Sequence, residues 1–238
     1  CPSKDINQFR NASASQLVAN GFYEISRNSL TNQAYQLRNN ISFDNEAVEI
    51  LNKLSEEQGI LRQTLLFTGL EVCAFNINRK QKDLKLFEFG KIYGKQKGKY
   101  TEKEKLALFI SGSEQAESWQ TQEKPTSYFS LAQFVNEVLQ KSAIKEVKVQ
   151  HSELSYFENG VDVVFQKRTI ASFGKVQPSI AKDLGIKQTV FYAEIGFEKL
   201  FEQSNPNTSL REIPKFPEVR RDLSLVLDQN HTFEQVYQ

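Results

Sequence analysis

The chain holds no methionine, one tryptophan, two cysteines and two histidines among its 238 residues. Each scarcity removes a class of explanation. With Cys1 as first residue, the missing methionine leads us to expect either an excised piece of a longer polypeptide or a sequence in which modified methionines are not written. Cys1 and Cys73 are too few for a disulfide framework, and Cys73 falls among apolar residues, where a small buried thiol is expected. We therefore expect a reducing, cytoplasmic setting. His151 and His231 have no cysteine or carboxylate at ligand spacing, so no metal site is expected. No apolar run approaches the ~18 residues of a membrane helix, and the opening CPSKDINQFR lacks the apolar stretch of a signal peptide. Without a secretion route, the glycosylation-like tripeptides at Asn11, Asn40 and Asn207 read as chance. Neither a nucleophile elbow nor a zinc-protease helix is present.

What is present is an ordinary globular composition, 39% hydrophobic and 25% charged. Thirty Lys and Arg against 29 Asp and Glu leave a net charge of +1, so any RNA contact must be local or shared with a partner. The chain is organised around residues 61–93. Leu61, Leu65, Leu66, Leu70, Cys73 and Ile77 fall at helical spacing and predict a helix of about five turns. Leu84, Leu86, Phe87, Phe89 and Ile92, between Asp83 and Gly94, predict a buried strand.

Upstream, Ile6, Phe9, Ala14, Leu17 and Val18 predict a helix over 4–20, with Ser3 as its cap and Gly21 at its end. Residues 22–26 and 48–51 read as strands, with a short helical turn near 31–37 between them. Downstream, KQKGKYTEKEK reads as a polar loop or hairpin tip, and 106–111 as the returning strand. Leu131, Phe134, Val135, Val138 and Leu139 mark one helical face over 130–141. Strands are expected at 145–151, 160–165, 169–176 and 190–195. Short helices are expected from Pro178 to Leu184, closed by Gly185, and over 197–201. This order favours an α+β fold on an antiparallel sheet. Pro206, Pro214 and Pro217 mark a linker over 206–219, which divides a domain at 1–205 from a strand and helix start at 220–238, with Thr232 as a cap.

Residues 94–100 are a poor phosphate loop, with Tyr100 where a Ser or Thr would hold magnesium. The segment around them is nevertheless basic. Arg79, Lys80, Lys82, Lys95, Lys97 and Lys99 are candidate RNA-approach residues, set against the plainer reading of a solvated face.

The series LVANGFYEI, EILNKLSEEQGILRQTLLFTGLEVCAFNINRK, LFEFGKIY, FGKVQPSIAKDLGI and KFPEVRRDLSLVLD resembles the beta chain of bacterial phenylalanyl-tRNA synthetase across essentially the whole chain. The resemblance implies a class II synthetase-like antiparallel sheet flanked by helices, followed by a truncated ferredoxin-like, anticodon-binding piece. It also implies an assembly of two alpha and two beta chains, with ATP and magnesium used by the whole enzyme, tRNA(Phe) as partner and no membrane. The active site would belong to the alpha chain. Class II catalysis needs an Arg after the central strand and a later Gly-rich, Arg-containing segment for the ATP phosphates. Here the strand ends in Gly94, and no such segment follows Ile195, so no catalytic, cofactor or metal residues are expected in this segment. LVANGFYEI resembles a class II interface element without its usual Pro, making Leu17, Val18, Gly21, Phe22, Tyr23 and Ile25 candidate subunit-interface residues. Self-association through that element is expected in the absence of an alpha chain, weakened by Leu17→Asp or Phe22→Asp. An active class II-type ligase, revived by any ATP binding, and a stand-alone RNA-binding module are the alternative readings.

Overall fold

The computed structural model describes residues 4–204 apart from 54, 116, 143, 145 and 146, together with 219, 221, 222 and 224. Asp5, in extended conformation, accepts from the Asn7 amide at 2.8 Å and caps α1 (Ile6–Ala19). The expected cap, Ser3, lies outside the described residues. Gly21 closes the helix at φ +84°, its amide on the Val18 carbonyl and that of Phe22 on Leu17, a left-handed turn that suits a residue without a Cβ. The strand that follows, β1 (Tyr23–Glu24), is shorter than expected, because it pairs with a single neighbour before the chain leaves the sheet.

β2 (Leu30–Thr31), α2 (Ala34–Arg38), β3 (Val48–Glu49), a 3₁₀ turn (Glu56–Gln58) and β4 (Ile60–Leu61) come next, with β4 central in a small antiparallel sheet. Leu61 is therefore a strand residue, and the central helix α3 (Leu66–Asn78) has thirteen residues, under four turns and not the five expected. Tertiary partners claim the residues between. Arg62 donates its amide to the Ser29 carbonyl at 2.9 Å, Gln63 Nε2 donates to Asn45 O at 2.6 Å, and Thr64 Oγ1 donates to Glu194 at 2.8 Å.

β5 (Leu84–Gln96) and β6 (Lys99–Ser111) form one hairpin, paired from Leu84↔Ser111 to Gln96↔Lys99. Its turn is only Lys97–Gly98, both at positive φ, so most of KQKGKYTEKEK is strand and not loop. The remaining elements are β7 (Ser113–Gln115), β8 (Lys124–Pro125), α4 (Tyr128–Gln140), β9 (Lys148–His151), β10 (Phe157–Phe165), β11 (Arg168–Val176), α5 (Pro178–Asp183), β12 (Val190–Gly196) and α6 (Phe197–Gln203). The main sheet has the order β1-β5-β6-β12-β11-β10-β9 and is antiparallel except for the β1–β5 pair.

Two cores sit on its two faces. Leu106, Leu108 and Ile110 of β6, with Ala193 and Ile195 of β12, pack with Leu131, Phe134, Val135 and Val138 of α4 and with Leu17 of α1. The intervening Ala107, Phe109 and Tyr192 pack with Leu66, Leu70 and Cys73 of α3 and with Ile180 of α5. The helical face expected of α4 is the buried one. The chain divides into two compact units, Cys1–Pro206 and Asn207–Gln238. Apart from 219, 221, 222 and 224, the expected linker and ferredoxin-like piece lie outside the described residues, as does Thr232.

α3 approaches β6 most closely at Gly69, where an added Cβ would lie 2.0 Å from Cζ of Phe109. Gly69→Ala should therefore cost about 1–3 kcal/mol by overpacking. Urea unfolding should show a lower midpoint at unchanged slope, with partial recovery on adding Phe109→Leu. Full stability in Gly69→Ala would mean that the helix does not rest on this ring.

Candidate functional site

α3 and α5 cover only one end of their sheet face. Along β6 the alternation that puts Phe109 and Ala107 under α3 continues to Lys105, Lys103 and Thr101, which line a cleft of about 360 Å³. Ile92 of β5, Glu194 of β12 and Ser172 of β11 complete its floor, and residues 43–45 form one wall. That wall is tied down by Gln63 and by mutual backbone hydrogen bonds of 2.9 Å between Glu46 and Lys95. Gly94 lets it close, since a Cβ there would lie 2.7 Å from Cβ of Asn45.

Two buried ion pairs dominate the electrostatics. Glu194 Oε2 accepts from Tyr192 OH at 2.7 Å, Thr64 Oγ1 at 2.8 Å and the Leu65 amide at 3.1 Å, while Oε1 meets Lys105 Nζ at 3.2 Å. Burial alone would push this carboxyl up. The Lys105 charge and the three hydrogen bonds outweigh burial and hold it below the usual carboxylate range. Burial, followed by the nearby Glu194 charge, pushes the Tyr192 hydroxyl well above its ordinary value.

The second pair is Arg62 Nη1 with Glu88 Oε1 at 2.8 Å, both side chains almost fully enclosed. Arg62 also donates to the Lys91 carbonyl at 3.0 Å and Thr68 Oγ1 at 3.3 Å. Glu88 Oε2 has no partner, and here burial wins over the arginine, so the carboxyl is pushed up. Only the Lys105–Glu194 pair lines the cleft, and neither pair presents a free cation to a ligand. Cys73 offers no nucleophile either, as burial pushes its thiol up to about 12.

A family model described as the phenylalanyl tRNA synthetase beta chain CLM domain matches residues 2–197. The chain belongs to this family. Similar curated proteins are the phenylalanine–tRNA ligase beta subunits of Bacteroides thetaiotaomicron, 36% identical over 97% of this chain and 30% of that protein, and of Porphyromonas gingivalis, 35% identical over 93% and 29%. The beta subunit of Thermotoga maritima is 27% identical over 77% and 23%. The chain thus spans less than a third of the length of these relatives. Among solved structures, pyrrolysyl-tRNA synthetase from Desulfitobacterium hafniense superposes with a TM-score of 0.63 at 17% identity, covering 83% of this chain and 68% of that one. At that identity the likeness is of fold alone, and it bears out the α+β, class II synthetase-like sheet.

Within this CLM fold the candidate interface residues separate. Leu17 and Phe22 are core, at 1% and 2% exposure, with Phe22 edge-on to Phe134 at 4.9 Å. They are not surface residues, so an Asp at either position would disrupt folding rather than report on association. Val18 and Tyr23 are well exposed, Gly21 is exposed, and Ile25 is half-buried with its amide on the Phe87 carbonyl at 2.8 Å.

The basic candidates separate as well. Arg79, Lys80 and Lys82 precede β5, while Lys95, Lys97 and Lys99 surround its far end. Eleven strand residues, Leu84–Gly94, lie between Lys82 and Lys95, about 36 Å at ~3.3 Å per residue. The structure therefore does not bring them together. Lys80 has a local role, closing α3 at φ 68° with its amide on the Ile77 carbonyl. Arg62, Glu88, Lys105 and Glu194 escaped the sequence reading. Their signal was charge placed beside or within apolar strands, as with Glu88 in LKLFEFG and Glu194 in FYAEI.

Lys105→Met provides a test with a definite sign. In the native protein Glu194 has a depressed pKa, so its stabilisation is complete above the ordinary value of 4.5 and is lost as pH falls through the folded value. Without the cation, burial dominates and the carboxyl should be raised, which makes the penalty largest near neutral pH. Urea titration should find the variant about 3 kcal/mol less stable near neutrality, with a smaller gap at about pH 5. An equal gap at both pH values would show that Lys105 does not act through Glu194.

Proposed function

We propose that the chain is a non-catalytic structural module of a phenylalanine–tRNA ligase beta subunit. It supports an alpha subunit and the binding of tRNA(Phe) in an alpha2-beta2 assembly in the cytoplasm. The joining of phenylalanine to tRNA, with ATP and magnesium, takes place outside this segment. The observation that carries the reading is that among the described residues no arginine lines the cleft, whose cations are Lys103 and Lys105, with Lys105 committed to Glu194. Adenylate formation needs cations held ready for the phosphates in fixed geometry, which arginine supplies better than lysine. Gly94 stands where the resemblance would place the first such arginine.

The residues present do not fit an ATP–magnesium site. Among the described residues no three His, Cys, Asp or Glu side chains are grouped to hold a metal ion. The exposed Val18 and Tyr23 beside the sheet-edge strand β1 offer the surface for a partner subunit. No helix of the described residues is long and apolar enough to cross a membrane. A stand-alone RNA-binding module has less support, because its basic residues are divided between the two ends of β5.

Phenylalanine-dependent pyrophosphate exchange should be absent from this chain in preparations free of alpha subunit. Losing one preorganised charge contact typically costs about 100- to 1,000-fold in rate, and two are missing. The alpha subunit should co-purify with the complete beta chain, and Val18→Asp with Tyr23→Asp should weaken that association without lowering the thermal midpoint. Exchange above background by the chain alone, or undiminished association of the double variant, would overturn the corresponding half of the proposal.

A further inference from the structure

We propose that the recess between α5 and β12 is a docking site for an acidic peptide segment of a partner protein, with one aliphatic side chain seated in it and flanking carboxylates on Lys182 and Lys187. This goes beyond the structural role above and does not depend on the assembly. The recess lies at the end of the sheet away from the cleft. Val190, where β12 begins, pairs with Ser111 at the close of β6, whereas Lys105 of the cleft pairs with Gly196. The recess encloses about 440 Å³, with Val176, Ala181, Ile186 and Val190 as its apolar lining. All four belong to the core that α3 and α5 cover, so the recess opens directly onto packed apolar side chains.

Short-range bonds set its shape. The Gly185 amide donates to the Lys182 carbonyl at 2.9 Å and the Ile186 amide to the Ala181 carbonyl at 2.8 Å, which turns the chain out of α5. Gln188 Nε2 then donates to the Lys82 carbonyl and to Ser111 Oγ, both at 2.7 Å, and pins the loop before β12. Gly185 is an exposed lining residue at φ +75°, and a Cβ there would meet no heavy atom within 4 Å. The recess is therefore preformed and open, so a side chain can enter it without rearrangement.

Charge decides the occupant. Lys182 and Lys187 line the recess and are exposed, and neither forms an ion pair among the described residues. The adjoining Asp183 is taken by Arg38 at 3.0 Å, and Lys175, the third lysine of the lining, by Glu158 at 2.6 Å. Apolar lining beside unmatched cations complements a segment that carries an apolar anchor between carboxylates. A nucleic-acid backbone would match the lysines but leave the apolar lining unused, and among the described residues no aromatic ring lines the recess for a base to stack on.

The test is fluorescence-anisotropy titration of the 238-residue chain into labelled acetyl-Glu-Glu-Leu-Glu-Glu-amide, and into the same peptide with Ser for Leu, in about 0.1 M salt to screen distant charges. The serine peptide should bind roughly tenfold more weakly, through loss of a buried leucine. Lys182→Glu with Lys187→Glu should weaken the leucine peptide about tenfold, the value of two exposed ion pairs. Lys97→Glu with Lys99→Glu, and separately Val18→Asp with Tyr23→Asp, should leave it unchanged, which keeps this site apart from the partner-subunit surface. Gly185→Asn, compatible with the left-handed turn, places a side chain at the mouth and should remove the advantage of leucine over serine. Thermal midpoints check folding, and should Gly185→Asn unfold, the exposed lysine pair and the two peptides read the same site. Equal binding of the two peptides, or binding indifferent to both the lysine pair and Gly185→Asn, would overturn the proposal. So would oligouridine that displaces the peptide and is itself indifferent to Gly185→Asn, since the occupant would then be an RNA backbone.

Discussion

β6 is paired along its length on one side with β5 and over its apolar half on the other with β12, and it contributes to both cores at once. Leu106, Leu108 and Ile110 serve one face, while Ala107 and Phe109 serve the other. The second set continues into the lysines of the cleft. A slip of one residue would exchange the two sets, putting Phe109 under α4 and burying Lys105 on the wrong side. Register is therefore the constraint on which helix packing, cleft and ion pairs all rest. The hairpin turn at Lys97–Gly98 and the approach of Gly69 to Phe109 fix it from opposite ends.

The two buried carboxylates show what satisfaction of lone pairs does to an acid. Glu194 has four donors, including a cation, and stays ionised more readily than a free glutamate. Glu88 has a fully enclosed arginine beside it, yet one of its oxygens has no partner, and its proton is harder to remove. A nearby opposite charge is thus insufficient by itself, because the cost of leaving water must be met at every oxygen.

Much of the fold was legible because period and local chemistry agreed. The apolar face of α4, the strand at Leu84–Ile92, the turn at Gly21 and the proline-started α5 all follow from residues within one or two turns of each other. Failures came where distant partners overruled a local pattern. Leu61 and Leu65 lie at helical spacing, but Arg62, Gln63 and Thr64 bond elsewhere and delay the helix. Residues 95–105 looked like a loop because they are charged. Across the hairpin Glu104 stands opposite Lys91 and Glu102 reaches the same lysine at 2.6 Å, and an exposed strand is compatible with such charges. The cleft itself was illegible, since Lys103, Asp162, Ser172 and Glu194 line it only after β6, β10, β11 and β12 have assembled.

The pairing of β12 with β6 also has a kinetic meaning. Leu84–Ser111 can zip as a local hairpin, with every contact close to its turn. β12 must then return across the whole of residues 112–189 to close the centre of the sheet. Such closure loses chain entropy before any contact repays it, so joining the two halves should be the slow event in folding. Until then the hairpin's apolar flank stands open to other chains. The charged outer half of β5–β6 is the part of the hairpin whose exposure to water costs least before the sheet closes.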